Sequence, residues 1–103
     1  MITLENLANT ILSSKRISTG ANGDFIKFTL PNGETLDFEI YAGVNYLNAH
    51  YLIVHPVLPI VGVEEDEGLV FKRNRVMLTK YTLETDEEII QAVFEEYYKM
   101  IGE

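Results

Sequence analysis

The first apolar pattern in the chain has the spacing of an amphipathic helix. Apolar side chains recur at intervals of three and four residues, at Leu4, Leu7, Ala8, Ile11 and Leu12. Thr3 can cap the start of such a helix, and the cations Lys15 and Arg16 suit the end of one. We therefore predict a short helix over residues 3–14, followed by a polar loop over residues 18–24.

From Phe25 onwards the pattern changes to strict alternation. Apolar residues alternate with polar ones in two runs, at Ile26, Phe28 and Leu30 and then at Leu36, Phe38 and Ile40. The sequence Pro-Asn-Gly at 31–33 separates the runs, and an Asn-Gly pair in this position is a strong hairpin signal. We predict an antiparallel hairpin with one apolar face and one charged face.

Three further strands are predicted in the second half of the chain. Residues 51–54 are apolar on both faces, which is typical of a central strand, and Pro56 ends it. An acidic loop over residues 59–68 follows. A short apolar run at 69–73 and an alternating run at 75–83 predict the remaining two strands.

The chain closes with a helical pattern. Thr85 and Glu88 have the spacing of a capping box, and Gly102 suits the end of a helix. Between them runs an apolar stripe, made of Ile89, Ile90, Val93, Phe94, Tyr97, Met100 and Ile101. We predict a helix over about residues 86–101.

These elements predict an α+β fold in a single domain over residues 1–103. We expect an antiparallel sheet of four to five strands, with the C-terminal helix packed on one face and the short N-terminal helix either beside it or at an edge of the sheet. The other face carries Lys27, Asp37 and Glu39, so we expect it to be solvated or occupied by a partner.

Composition narrows the function classes. The chain has 16 Asp and Glu against 8 Lys and Arg, a net charge of −8, and a hydrophobic content of 47% that argues against disorder. The excess negative charge repels phosphates, so we expect no direct binding to nucleic acid. The sequence contains no cysteine, no secretory signal pattern and no apolar run long enough to span a membrane. We therefore expect a cytoplasmic protein without a membrane partner.

No pattern of residues predicts catalysis, a metal site or a cofactor. His50 and His55 are an odd number of residues apart on a predicted strand, so they should point to opposite faces. The acidic run at 64–67 lacks the alternating ligands of a calcium loop. The glycines and serines match no phosphate-binding loop or nucleophile elbow. We expect a protein that is not an enzyme.

Two groups of polar and aromatic residues are candidates for binding. The predicted interaction surface consists of the acidic run and three tyrosines, namely Glu64, Glu65, Asp66, Glu67, Tyr41, Tyr46 and Tyr98. Half-buried tyrosines with solvated hydroxyl groups are the alternative. Four cations also cluster, at Lys72, Arg73, Arg75 and Lys80. They favour cross-strand charge pairing over a phosphate or acidic-peptide site.

Residues 25–101 resemble the YrzB-like family, small acidic proteins of Gram-positive bacteria classed as a domain of unknown function. The resemblance lies in the segments Asn-Gly-Glu-Thr-Leu-Asp-Phe-Glu-Ile at 32–40 and Tyr-Leu-Ile-Val-His-Pro at 51–56, the Val-Phe pair at 70–71, the segment Leu-Glu-Thr-Asp-Glu-Glu at 83–88 and Val-Phe-Glu-Glu-Tyr at 93–97. It implies a bacterial, cytoplasmic and non-enzymatic protein, and it assigns no site residue.

Three functions stay open from the sequence. The first is an interaction module that binds another protein. The second is an acidic mimic of nucleic acid, with an acidic surface made of residues 64–67 together with Glu84, Glu87, Glu88, Glu95 and Glu96. The third is an enzyme or metal binder that uses His50 or His55. A homodimer is compatible with each of them.

Overall fold

The computed structural model describes residues 3–18 and 24–102. Two helices and six strands follow one another as α1 (Leu4–Leu7), β1 (Ile11–Ser18), β2 (Asp24–Thr29), β3 (Thr35–Tyr46), β4 (Ala49–Pro56), β5 (Leu69–Arg73), β6 (Lys80–Leu83) and α2 (Glu87–Met100). Residues 19–23, which hold most of the predicted polar loop, lie outside the described residues.

The strands form a closed barrel. Each strand pairs antiparallel with the next one along the chain, and β6 pairs back with β1. The predicted α+β fold, with an open sheet of four to five strands, is therefore wrong. Every strand of the ring has a neighbour on both sides over part of its length, although residues 42–46 of β3 pair with β4 alone.

The strand that closes the barrel was predicted as helix. α1 ends at Leu7, and the Thr10 hydroxyl donates a hydrogen bond back to the Asn6 carbonyl at 2.7 Å. From Ile11 onwards the chain alternates, since Ile11 is 56% exposed and Leu12 is fully buried. Four-residue spacing from Leu7 fits either one long helix or a short helix followed by a strand. Residues 11–18 form a strand because they pair with β2 on one side and, over residues 11–13, with β6 on the other.

Aromatic rings fill the interior of the barrel. Phe28, Phe38, Phe71 and Tyr81 lie in one cluster, and Phe28 is 4.8 Å from Phe71 and 5.3 Å from each of the other two, measured between ring centroids. Aliphatic side chains such as Leu12, Leu52 and Val54 complete this interior core. A six-stranded barrel is narrow, so these side chains leave a packed core and not a channel.

A second core lies outside the barrel, beneath α2. Val93 of α2 is fully buried against a cluster that includes Val44, Tyr51, Ile53 and Val70. β4 is therefore buried on both faces, because even-numbered residues such as Leu52 face the interior and odd-numbered residues such as Ile53 face α2. The prediction that residues 51–54 form a strand buried on both faces is confirmed.

The C-terminal helix is confirmed, with a different cap. Asp86, and not Thr85, is the N-cap, and its Oδ1 accepts a hydrogen bond from the Glu88 backbone N–H at 2.9 Å. The Glu84 carboxylate accepts hydrogen bonds from the Thr85 and Asp86 backbone N–H groups. The predicted capping box is wrong because Glu84 satisfies the donors just ahead of the helix. Met100 is 61% exposed, so the buried stripe ends before it.

The other strand predictions are confirmed in part. The hairpin of β2 and β3 pairs Ile26 with Phe38 and Phe28 with Leu36, as the alternation predicts. β5 also covers the predicted residues 69–73. The predicted strand at 75–83 is shortened to β6, because the Asn74 Oδ1 accepts hydrogen bonds from the backbone N–H groups of Val76 and Met77 at 2.8 Å and holds a turn.

Candidate functional site

A groove lies on the surface between the two helices. It occupies about 610 Å³ and lies between α1, the segment at residues 61–62, the start of β5, the end of β6 and the start of α2. Leu69 and Val70 at its floor are buried, and both pair with β4 in the barrel. We refer to this depression as the α1–α2 groove.

The lining of the α1–α2 groove is both apolar and acidic. Its apolar lining includes Leu4, Ala8, Val61, Leu69, Leu83 and Ile90. Four glutamates also line it, at Glu5, Glu67, Glu84 and Glu87. No lysine, arginine or histidine of the described residues belongs to the lining. A ligand that fits this groove combines apolar groups with positive charge.

One wall of the groove is tied down by close packing. The Leu4 backbone N–H donates to the Val61 carbonyl at 2.9 Å, and Thr3 forms a parallel bridge with Val61. Gly62 has a φ of +97°, and a Cβ there would lie 3.0 Å from the Leu4 Cβ. Glycine at 62 therefore allows the 61–62 segment to contact α1 directly and to fix the width of the groove.

Two of the groove glutamates have structural contacts as well. Glu84 lies at the junction of β6 and α2, where its Oε2 accepts the two hydrogen bonds that precede the helix. Burial is the main cause that raises the pKa of the Tyr51 phenol, and the Glu84 carboxylate and Tyr46 contribute. The Glu67 Oε1 accepts from the Glu64 backbone N–H at 3.0 Å.

The predicted acidic surface is divided between loop and groove. Glu64, Glu65 and Asp66 are exposed in the loop between β4 and β5, whereas Glu67 is half-buried and lines the groove. The loop is closed on itself by the hydrogen bonds between Glu64 and Glu67. The structure therefore places one residue of the acidic run, and not four, in the groove.

Two of the three predicted tyrosines are on β3 and the third is on α2. Tyr41 is 48% exposed and stacks on the His55 ring, with the ring centroids 6.2 Å apart. Tyr46 is half-buried and packs on the core beneath α2. Tyr98 is 47% exposed and its ring contacts the rings of Phe94 and Tyr97. None of them lines the groove.

The two histidines have separate environments. The His50 Nδ1 is 2.9 Å from the Asn45 Oδ1, and the His55 Nδ1 is 2.9 Å from the Glu67 carbonyl. Burial, with a contribution from the Arg73 guanidinium, lowers the pKa of His50 from its usual 6.5. Among the described residues, no group of three or more histidine, aspartate or glutamate side chains has the arrangement needed to hold a metal ion.

The clustered cations do not pair with acids across the barrel. Lys72 is opposite Thr82 and Arg73 is opposite Tyr81 on β6. The ion pairs between described residues are Lys27 with Asp37 and Lys99 with Glu96, so none includes a residue of this cluster. The expected cross-strand charge pairing of the cluster is therefore wrong. β6 offers no acid opposite Lys72 or Arg73, and the Lys80 ammonium donates a hydrogen bond to the Ser13 hydroxyl instead.

Only some of the acids that were predicted to form a nucleic-acid mimic line the groove. Glu84 and Glu87 line the α1–α2 groove, whereas Glu95 is exposed further along α2 and is outside the groove lining. Glu96 pairs with Lys99 at 3.4 Å. Glu84 and Glu87 were predicted from the sequence as part of a nucleic-acid mimic and not as part of a groove. Nothing in the sequence pattern predicted a binding role for Glu5.

Comparison of the chain with protein-family models, with curated proteins and with solved structures found no match. The resemblance to the YrzB-like family therefore stays a prediction. In the part of the chain that the structure describes, neither helix has the length and apolar character needed to cross a membrane.

Proposed function

We propose that this chain is a non-enzymatic protein-interaction module of the cytoplasm, and that the α1–α2 groove binds a basic, apolar segment of another protein. One observation carries the proposal. The groove has an apolar floor, and the charged residues in its described lining are all glutamates. The acidic composition and the lack of cysteine support the cytoplasmic location.

Lysine and arginine side chains of a partner suit both parts of this lining. Their alkyl stems can lie on the apolar floor while their charged ends reach the glutamates of the lining. An exposed ion pair contributes only about 0.2–1 kcal/mol, so most of the affinity has to come from apolar side chains of the partner. The glutamates then select basic partners and exclude acidic ones.

The groove is formed before a partner arrives. Its floor belongs to β5, and both walls are held by hydrogen bonds and close packing within this chain. A partner segment therefore binds without the cost of ordering the groove. This supports a binding surface that recognises a short segment.

The test uses defined peptides and matched variants of the protein. Fluorescence anisotropy measures binding of a short synthetic peptide of leucine and lysine, and of a matched peptide of leucine and glutamate. We expect the lysine peptide alone to bind. Glu87→Gln should weaken its binding about two- to fivefold, which corresponds to an exposed ion pair. Val61→Ser should weaken binding because Val61 lines the groove.

Control variants separate the groove from the overall charge. Glu95→Gln removes the same charge from the same helix outside the groove, and Val57→Ser changes an equally exposed valine outside it. Both controls should bind like the unmodified protein. Equal losses for Glu87→Gln and Glu95→Gln would contradict the proposal, because they would show binding to net charge, the behaviour expected of a nucleic-acid mimic.

A further inference from the structure

Polar side chains surround the mouth of the barrel where β4 begins and β5 ends. Strand alternation places His50 on the same face as Leu52 and Val54, and Arg73 on the same face as Leu69 and Phe71. Because those apolar residues fill the barrel, His50 and Arg73 lie above the interior core. This mouth lies at the opposite end of β5 from the α1–α2 groove.

The His50 ring contacts Asn45 and Gly43. The Asn45 Oδ1 has no hydrogen, so the His50 Nδ1 donates the hydrogen bond between them and Nε2 is left to gain a proton. The ring lies against Gly43, where a Cβ would be 3.0 Å from Cε1 and 3.2 Å from Nε2. Glycine at 43 therefore makes room for the imidazole at the mouth.

Two adjoining depressions share this mouth. One has a volume of about 390 Å³ and the other about 160 Å³, and Asn48, Ala49, His50 and Arg73 line both. Arg75 lines the smaller one. No aspartate or glutamate of the described residues lines either depression. The ion pairs among the described residues also leave Arg73 and Arg75 without a carboxylate.

We infer that the barrel mouth is a binding site for a small oxyanion of the phosphate type, held between the Arg73 guanidinium and the protonated His50 imidazole, with Arg75 at the edge. A guanidinium presents two parallel N–H donors to the oxygens of a phosphate. The His50 Nε2 donates to a further oxygen once it is protonated. Barrel mouths with a few convergent polar groups are common ligand sites.

Binding of the oxyanion at this mouth is coupled to protonation of the His50 imidazole. The charged or titratable groups of the described residues around His50 are Arg73 of β5 and Arg75 of the following loop, and the Tyr46 phenol lines the larger depression. In the free protein, burial and Arg73 both oppose the protonated imidazole. A bound dianion offsets Arg73 and favours the imidazolium, so binding should strengthen as the pH falls.

Proton NMR of the His50 ring over a pH range tests the site, with sulfate as the probe and chloride at equal ionic strength as the reference. Sulfate keeps its charge over this range, so His50 is the titrating group. We expect sulfate to raise the pKa of His50 by about one pH unit, which corresponds to about tenfold tighter binding to the protonated protein. No sulfate-dependent change would overturn the inference.

Two variants distinguish a built site from general charge. Arg73→Gln should abolish the effect of sulfate on His50, whereas Lys72→Gln, which removes one charge on the outer face of the same strand, should preserve it. Loss of the effect in both variants, or in neither, would overturn the inference. Circular dichroism checks that each variant folds.

A last comparison identifies the source of the oxyanion. Inorganic phosphate and a phosphorylated sugar are titrated in parallel by calorimetry. Tighter binding of the sugar phosphate would assign the site to a phosphorylated metabolite, and equal binding would assign it to the free anion. If neither phosphate nor the sugar phosphate binds the unmodified protein more tightly than it binds the Arg73→Gln variant, the inference is overturned. This outcome does not depend on whether peptides bind in the α1–α2 groove.

Discussion

Replacing Gly62 with alanine tests the contact that fixes one wall of the α1–α2 groove. Gly62 has a φ of +97°, and an added Cβ would lie 3.0 Å from the Leu4 Cβ. Gly33, in the turn between β2 and β3, has a φ of +91°, and an added Cβ there would meet nothing within 4 Å. Gly33→Ala is therefore a matched control, with a similar backbone cost and no steric contact.

The two substitutions should differ by the cost of the contact. A positive φ costs an alanine about 1–2 kcal/mol at either position, and the entropy that alanine removes from the unfolded chain is the same for both. Overpacking adds about 1–3 kcal/mol at Gly62 alone, because both atoms in the contact are Cβ atoms close to the backbone. We expect Gly33→Ala to lower the free energy of unfolding by about 1 kcal/mol and Gly62→Ala to lower it by about 2–4 kcal/mol.

Urea unfolding followed by far-ultraviolet circular dichroism measures both values. For a domain of this size, each kcal/mol also lowers Tm by about 4 °C, so thermal unfolding gives an independent check. Equal losses of stability for the two variants would refute the reasoning, because they would show that α1 does not press on the 61–62 segment. A smaller loss for Gly62→Ala than for Gly33→Ala would refute it as well.

Three further predictions concern stability. Leu47 has a φ of 48° in the turn between β3 and β4 and is 74% exposed, so Leu47→Asn should raise the free energy of unfolding by about 1 kcal/mol, whereas Leu58→Asn should not raise it. Phe71 is fully buried among the barrel rings, so Phe71→Ala should cost about 3–5 kcal/mol in urea unfolding, compared with less than about 1 kcal/mol for the exposed Tyr98→Ala. Because the pKa of His50 is lowered in the folded state, the unfolded chain binds more protons, and stability should fall as the pH drops below about 6.5. His50→Gln should flatten this dependence, and an unchanged pH profile in that variant would contradict it.

Local patterns were sufficient for some elements and not for the barrel. The β2–β3 hairpin was predictable because both its alternation and its Asn-Gly turn lie within a short stretch of sequence. β1 was not, because Ile11 and Leu12 fit two local patterns. Its pairing with Thr82 and Tyr81 on β6 joins distant parts of the chain. Closure of the barrel is therefore a non-local property.

The candidate sites depend on the same non-local pairing. Glu5 and Glu87 meet at one groove only because the closed barrel brings α1 next to the start of α2. From the sequence, His50 was expected to point to the opposite face from His55, which does not identify its neighbour, and the structure places it beside Arg73. Strand alternation could have shown that His50 and Arg73 are each on the interior face, but not that the strands carrying them are neighbours in a closed ring.

The central claim is that the α1–α2 groove binds a basic, apolar segment, and an amide NMR titration of the isotope-labelled protein tests it most directly. The probe is the short peptide of leucine and lysine. We predict saturable shifts of the Gly62, Gly68 and Ile90 amide signals, all of which belong to the groove lining. Shifts confined to the exposed acidic loop at residues 64–66, or no saturable shift in the groove, would contradict the claim.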